Sequence, residues 1–169
     1  MPMCPPSLPP PGYPVEVVMT VTSIINQRAQ ATYSKASSDN NPATYILSDG
    51  HICIGSFKKK VDFVFTLKSN IPNLIFYRHP QITPISFSDD INGTKTFVPP
   101  LVDHHQFDQS INLDATKTVL NFTYHNDDHG TAGTNGQFRQ SIYGFYIGDS
   151  TTGKYVGGTD PTIDNGGND

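Results

Sequence analysis

The sequence predicts an all-β protein, and three observations lead to this prediction. Only 36% of the residues are hydrophobic and 15% are charged, because small polar residues, glycine and proline take up much of the chain. Short apolar runs recur, with turn-forming residues between them roughly every 8–12 positions. No stretch shows the apolar repeat of an amphipathic helix. Together these features favour a single antiparallel β-sandwich of seven to nine strands, immunoglobulin-like in its arrangement.

The 169 residues suffice for one domain with a substantial core, which we assign to residues 15–169. Residues 1–14 contain seven prolines and are predicted to form an extended, polyproline-like arm. A disordered tail is one interpretation of this arm. An arm that packs on its own domain or on a neighbour is the other.

Apolar runs predict the strands in chain order. In Val15–Ile25 apolar side chains alternate with polar ones from Val15 to Val21, the pattern of a half-buried strand. Residues 26–37 fit either a returning hairpin strand or a short helix. Lys59–Leu67 has the clearest alternation, and its predicted inward side chains are Val61, Phe63, Phe65 and Leu67. Further strands are predicted at Tyr45–Leu47, His51–Ile54, Asn73–Tyr77, Ile82–Phe87, Phe107–Leu113 and Thr118–His125, the last two joined by Asp114–Lys117.

The C-terminal segment predicts one more hairpin. Ile142–Ile147 and Lys154–Val156 are strand-like, and the polar loop Gly148–Gly153 separates them. The second run continues through two glycines and Thr159 into an Asp-Pro dipeptide, Asp160-Pro161.

Composition excludes several classes of function. The net charge is −4 and no basic block is longer than Lys58–Lys60, which argues against a nucleic-acid partner. No apolar run approaches the roughly 20 residues of a membrane helix, and the N-terminus lacks the pattern of a signal peptide. The chain has no tryptophan, which argues against a sugar site built on a tryptophan platform. We therefore expect a cytoplasmic protein without cofactor, in which Cys4 and Cys53 are free thiols.

Two loops contain residues suited to metal binding. Imidazole and carboxylate groups suit zinc or a harder divalent ion. No spacing fixes two of these ligands on one rigid element, however, and both residue types are common in solvated loops. We predict no metal, and the candidates, should one bind, are His104, His105, His125 and His129, with Asp103, Asp108, Asp127 and Asp128 beside them.

The Asp160-Pro161 dipeptide offers the most specific chemistry. The Asp160 carboxylate can attack its own main-chain carbonyl, forming a five-membered cyclic anhydride and freeing the Pro161 amine. It can also act as a base for an attacking water. Proximity favours both routes, because nucleophile and electrophile belong to one residue. The alternative is structural, since an Asp-Pro pair often starts a turn.

The hairpin followed by TDPTIDNGGND resembles the Asp-Pro endopeptidase (DP-EP) family of small bacterial self-cleaving β-sandwich proteins. The resemblance covers mainly the final thirty residues and the all-β pattern. It implies an autocatalytic endopeptidase acting in cis at Asp160–Pro161, with the peptide Pro161–Asp169 retained as a strand. The same ending also resembles the AidA/PixA-type inclusion body proteins, which implies a non-enzymatic, self-assembling protein of the same fold.

The chain departs from the DP-EP pattern, which has a lysine on the strand beside the aspartate. Counting from a turn at residues 149–153 places Asp160 opposite about Ile142, within two residues. The supporting side chains predicted there are Arg139, Ser141 and Tyr143, and Lys154 lies on the strand of Asp160 itself. Arginine can hold a carboxylate or an oxyanion but is no nucleophile at neutral pH. The predicted partners are thus the chain's own C-terminal segment and further copies of the chain, and a ligand- or sugar-binding sandwich stays as a third hypothesis.

Overall fold

The computed structural model describes residues 8–53, 60–77, 85–90, 111–124, 140–159 and 162–164. Within these ranges the regular secondary structure is entirely β-strand, so the all-β prediction is confirmed. No helix among the described residues has the length and apolar character needed to cross a membrane.

Eleven strands lie in the described part of the chain. The prediction of seven to nine was too low. It left the strand at residues 28–35 undecided against a helix, and the apolar runs did not indicate the three-residue strand Thr162–Asp164. In chain order the strands are β1 Val15–Ile25, β2 Arg28–Lys35, β3 Ile52–Cys53, β4 Val61–Ser69, β5 Leu74–Phe76, β6 Ile85–Asp90, β7 Asn112–Leu113, β8 Val119–Tyr124, β9 Gln140–Asp149, β10 Lys154–Gly158 and β11 Thr162–Asp164.

The first two strands form a hairpin, which decides the open question about residues 26–37. Ile25 pairs with Arg28, and the two residues between them have positive φ, 51° at Asn26 and 61° at Gln27. A two-residue turn with positive φ at both positions matches the right-handed twist of the strands it joins. Residues 26–37 are therefore a turn and a returning strand, with no helix.

The eleven described strands pair into one sheet, in which β9 has two sets of partners along its length. In the first arrangement β9 lies between β5 and β10, in the order β5-β9-β10-β2-β1-β4-β8-β7, which is strongly curled, like half of a barrel. In the second it lies between β6 and β11, in the order β6-β9-β11-β3. The C-terminal part of β9 pairs in the first arrangement and its N-terminal part in the second.

The prediction of purely antiparallel pairing is wrong. Strands β1 and β4 run parallel over seven residue pairs, from Val15 beside Phe63 to Val21 beside Ser69. β2 occupies one side of β1, and the chain between residues 36 and 60 carries β4 to the other side in the same direction. Short parallel pairings also join β11 to β3 and β10 to β2.

The core lies on one face of β1, β4 and β8. The alternation predicted for β4 is confirmed, since Val61, Phe63, Phe65 and Leu67 are all at most 6% exposed. Phe122 on β8 stacks against two of them, with ring centroids 5.2 Å from Phe63 and 5.7 Å from Phe65. Aromatic pairs of this kind add to the stabilisation from burial alone.

The C-terminal hairpin is confirmed, with a turn at residues 150–153 between β9 and β10. Asp149 holds this turn together: its Oδ1 accepts from the N–H of Thr151 at 2.7 Å and from that residue's hydroxyl at 2.5 Å. Gly153 closes the turn with φ of 66°, a conformation that glycine adopts without strain. Hydrogen bonding, chiefly from the Thr151 hydroxyl, lowers the pKa of Asp149.

Residues 8–14 of the N-terminal arm lie against the domain. The Tyr45 hydroxyl donates to the Pro9 carbonyl at 2.8 Å, and burial raises the pKa of Tyr45, which keeps the donor protonated. Asn41, only 2% exposed, accepts from the N–H of Tyr13 and donates to the carbonyls of Tyr13 and Pro14, each at 3.1 Å. Asn41 thus satisfies the backbone of the arm where it enters β1.

The expectation of free thiols is wrong for Cys53. This residue lies on β3, is 2% exposed and is disulfide-bonded, and no described cysteine is free. A cysteine count gives no information about which sulfur atoms the fold brings together, so the sequence did not reveal this bond.

Candidate functional site

The site is an interval in the ladder along one side of β9. Gly158, the last residue of β10, pairs with Tyr146, and Thr162, the first residue of β11, pairs with Ile142. The two pairs are four positions apart on each strand, so both ladder segments share one register. The Asp160–Pro161 bond falls in this interval of the sequence, and both of its residues lie outside the described part of the chain.

Thr159 fixes the upstream end of the interval. Its N–H donates to the Phe145 carbonyl at 3.0 Å, and the Phe145 N–H donates to the Thr159 hydroxyl at 3.1 Å. In a regular antiparallel ladder the second acceptor is a main-chain carbonyl. Here a side-chain oxygen takes that place in the residue directly before Asp160. Thr159 is 6% exposed and Phe145 fully buried, so the interval begins in dry surroundings.

Gly157 lets the β1–β2 turn approach the end of β10 closely. A Cβ on Gly157 would lie 3.1 Å from Ile24 Cγ2 and 3.3 Å from the carbonyl of Gln27. The Gly158 N–H donates to the same carbonyl at 3.1 Å. The last strand position before the site is therefore held from two sides, by β9 and by this turn.

Strand β11 fixes the downstream end of the interval. It lies between β9 and β3: Ile163 pairs with Ser141 on one side and with Ile52 on the other, and Asp164 pairs with Cys53. Backbone pairing on two sides is the arrangement of a central strand. Residues 162–164, which follow the Asp160–Pro161 bond, are thus built into the sheet.

The structure locates two of the predicted supporting residues. Ser141 and Tyr143 lie on β9, at the positions opposite Asp89 and Phe87 of β6. Lys154 pairs with Asp149 at the turn end of the hairpin, at the other end of β10 from the interval. Arg139 lies outside the described residues.

The observed register lies at the edge of the predicted range. The sequence placed Asp160 opposite Ile142 within two residues, and Ile142 pairs with Thr162, a difference of two residues from the centre of that range. A bulge at Val156 contributes to the difference, since Tyr155 pairs with Gly148 and Gly157 with Ile147. A bulge inserts one unpaired residue and shifts every pair that follows it.

The four candidate histidines, His104, His105, His125 and His129, lie outside the described residues, as do the aspartates beside them. Among the residues that the structure does describe, no group of three or more histidine, cysteine, aspartate or glutamate side chains is arranged to hold a metal ion.

Sequence reasoning missed Thr159 and Cys53. A single threonine in a strand is compatible with many environments, and only its bonds to Phe145 distinguish it. Cys53 carried a weak signal, because the sequence contains a second cysteine at position 4 in the arm.

In comparisons with known proteins, no protein-family model matches the chain and no curated protein matches it. The structure therefore defines the class alone: an all-β protein with a strongly curled, mixed sheet. Its C-terminal hairpin continues across an Asp-Pro dipeptide into one further paired strand.

Proposed function

We propose that this protein processes itself, cutting its own chain at Asp160–Pro161 through the Asp160 carboxylate. The observation that supports the proposal is the shared register of β10 and β11 on β9, which holds the chain on both sides of this bond. A bond fixed at both ends cannot relax freely, so a carboxylate in the same residue stays close to the carbonyl it attacks.

The proposed reaction adds one water in total. A side-chain oxygen of Asp160 attacks the main-chain carbonyl carbon of the same residue, and the bond to the Pro161 nitrogen breaks. That nitrogen takes up a proton and leaves as a secondary amine. Water then opens the cyclic anhydride, which restores the side-chain carboxyl group of Asp160 and leaves its main-chain carbonyl as a new C-terminal carboxyl group. In the second route the Asp160 carboxylate removes a proton from a water that attacks the carbonyl directly.

The surroundings support both routes. Thr159 and Phe145 are buried next to the bond, and Gly144 is buried as well. A buried site has a low effective dielectric, which strengthens any hydrogen bond to the developing oxyanion. Lys154, the lysine of the hairpin itself, pairs with Asp149 at the far end from this interval. We therefore propose hydrolysis rather than transfer to an amine.

We further propose that the peptide Pro161–Asp169 stays bound after cleavage. Its residues 162–164 pair with β9 on one side and with β3 on the other. Main-chain hydrogen bonds to two neighbours are the means by which an added strand is held in a sheet. Cutting the bond would thus leave the shape of the domain unchanged.

Intact-mass spectrometry under denaturing conditions tests this proposal. Wild type, Asp160→Asn and the control Asp164→Asn would be measured fresh and after incubation at neutral and mildly acidic pH, without hot acid. We expect wild type and Asp164→Asn to yield two fragments whose summed masses exceed the intact mass by one water. Asp160→Asn should remain whole. One uncut mass in every sample would refute self-cleavage.

A second candidate function is self-assembly without catalysis. Two apolar side chains favour it, because Ile25 is 58% exposed and Tyr13 is 56% exposed. Strand β7 lies at the end of the curled sheet, and among the described strands it pairs only with β8. Exposed strand edges are templates for pairing with another copy. Sedimentation velocity of wild type and Ile25→Ser tests this hypothesis. If both sediment equally, as monomers, the exposed apolar side chains do not support self-assembly.

We also propose that the two arrangements sharing β9 enclose one core as a sandwich. Ile52 of β3 and Phe145 of β9 belong to the same cluster of buried side chains as the core residues of β1 and β4. The ring of Phe145 lies 4.8 Å from that of Phe65 and 5.2 Å from that of Phe76. These contacts support a core that both arrangements share.

A further inference from the structure

The disulfide at Cys53 lies beside the strand that follows the Asp160–Pro161 bond. Cys53 is buried on β3, and its position in the ladder is next to Asp164 of β11. Its N–H donates to the Tyr45 carbonyl at 2.7 Å. The sequence contains one other cysteine, Cys4, in the Pro-rich arm.

The described part of the arm leads back to the same place. The Pro9 carbonyl accepts from the Tyr45 hydroxyl at 2.8 Å, and Leu8 packs against the core. Tyr45 therefore contacts the arm through its side chain and Cys53 through its backbone. Five residues along the chain connect Cys4 to Pro9, and an extended chain of that length spans at most about 17 Å. The Tyr45 side chain separates the Pro9 carbonyl from the backbone that binds Cys53. The segment between Cys4 and Pro9 is long enough to span the length of that side chain.

We propose that Cys4 and Cys53 form an intramolecular disulfide that fastens the N-terminal arm to β3 and so keeps β11 in the sheet. The cross-link itself does not depend on self-cleavage. Its effect on a cleaved peptide does rest on the proposed function. A peptide held by β9 and β3 dissociates more readily once β3 is loosened.

The bond forms by thiol–disulfide exchange with a small disulfide such as oxidised glutathione. One cysteine thiolate attacks that disulfide and displaces the first glutathione thiolate. The second cysteine thiolate attacks the mixed disulfide and displaces the other. Two electrons and two protons thus pass from the pair of cysteines to one glutathione disulfide, which becomes two thiols. A dithiol reductant reverses the sequence.

The cross-link closes a loop of about 50 residues, and loops of this length lose much entropy in the unfolded state when they are closed. We expect reduction to raise the unfolding equilibrium constant roughly a hundred- to a thousandfold. The local effect of reduction should be greatest at β3, because this strand has two residues and pairs in parallel with β11.

Peptide mapping without reductant is the first test. The intact protein would be unfolded in denaturant with iodoacetamide present, digested and analysed by mass spectrometry. We expect one cross-linked peptide pair that joins Cys4 to Cys53 within a monomer. Two alkylated cysteines, or a cross-link found only in a covalent dimer, would overturn the proposal.

Hydrogen exchange tests the effect on β11. Asp160→Asn serves as the parent, so that the chain is whole in every sample and failure of self-cleavage cannot affect the result. The oxidised parent, the reduced parent and an oxidised Cys4→Ser derivative would be compared. Cys4→Ser is preferred to Cys53→Ser, because Cys53 is part of the packed interior.

We expect exchange at residues 52–53 and 162–164 to be at least tenfold faster in the reduced and Cys4→Ser samples. Exchange in the middle of β1, which is flanked by β2 and β4, should stay the same in all three. Equal exchange at β3 and β11 in every sample would overturn the proposal that the disulfide keeps β11 in the sheet, even if the disulfide were present.

Discussion

Thr159 and Phe145 bind each other through two hydrogen bonds, and one of them uses the threonine hydroxyl in place of a main-chain carbonyl. The pair is buried and directly precedes Asp160. The ladder therefore changes its bonding immediately before the Asp-Pro dipeptide.

Thr159→Val tests the importance of this hydroxyl, since valine has the same shape but cannot accept the bond. We expect the free energy of unfolding to fall by about 1–2 kcal/mol, the usual cost of losing a buried hydrogen bond. Urea denaturation measures it. Thr32→Val, the same change at an exposed position on β2, is the matched control and should have little effect. Equal losses in both variants would contradict the assigned role.

Gly148→Ala tests the close packing of β9 against Tyr77. An added Cβ would lie 2.8 Å from Tyr77 Cδ2, closer than real Cβ contacts come, and 3.2 Å from the Lys154 carbonyl oxygen, which is a tight contact. We expect a loss of about 1–3 kcal/mol in the free energy of unfolding, as for other overpacked sites. Gly12→Ala is the control, because a Cβ added there would have no other atom within 4 Å. A stable Gly148→Ala variant would show that Tyr77 moves aside without cost.

Asn41→Ala tests the attachment of the arm. The variant loses the amide that binds Tyr13 and Pro14, leaving backbone groups at the start of β1 without their partner. We expect a loss of about 1–3 kcal/mol and faster proteolysis within residues 8–14. Asn40→Ala, an exposed neighbour, provides the comparison. The assignment fails if the two variants are cut at the same rate.

The turn between β9 and β10 should weaken in acid. Hydrogen bonds, first of all from the Thr151 hydroxyl, lower the pKa of Asp149. A carboxyl whose pKa is lower in the folded protein stabilises it above the unfolded pKa, and this contribution is lost as the pH falls through the folded pKa. The protection factors of the amides at residues 151–153, obtained by NMR from exchange rates relative to the unstructured-chain rate at each pH, should therefore fall in wild type as the pH decreases. In Asp149→Asn, which has no charge to lose, this pH dependence should disappear.

The strands were predictable where one face is buried and the other is solvated. In β4 every second side chain from Val61 to Leu67 is apolar, and the structure buries these four. A strand's own pleat produces that alternation, so the signal is local. The turns at Asp149 and Asp114 were predictable for a similar reason, because each aspartate binds backbone N–H groups two to five residues further on.

The choice of strand partners was not predictable. Nothing in the residues of β1 distinguishes a parallel neighbour from an antiparallel one, yet β4 runs parallel to it. The register of the last hairpin was predictable only to within two residues, because the bulge at Val156 leaves no composition signal. The same limit applies to the site, where Ile142 pairs with Thr162.

The sequence by itself determined the all-β class, the alternating core positions and the place of Asp160-Pro161 in the chain, since these depend on residue type and short-range spacing. Only the tertiary structure decided that β11 continues the register of β10, that Thr159 binds Phe145, and that Cys53 is disulfide-bonded beside β11. Each of these relationships joins residues that are distant along the chain. Contacts of that kind follow from how whole strands pack, and no local pattern encodes them.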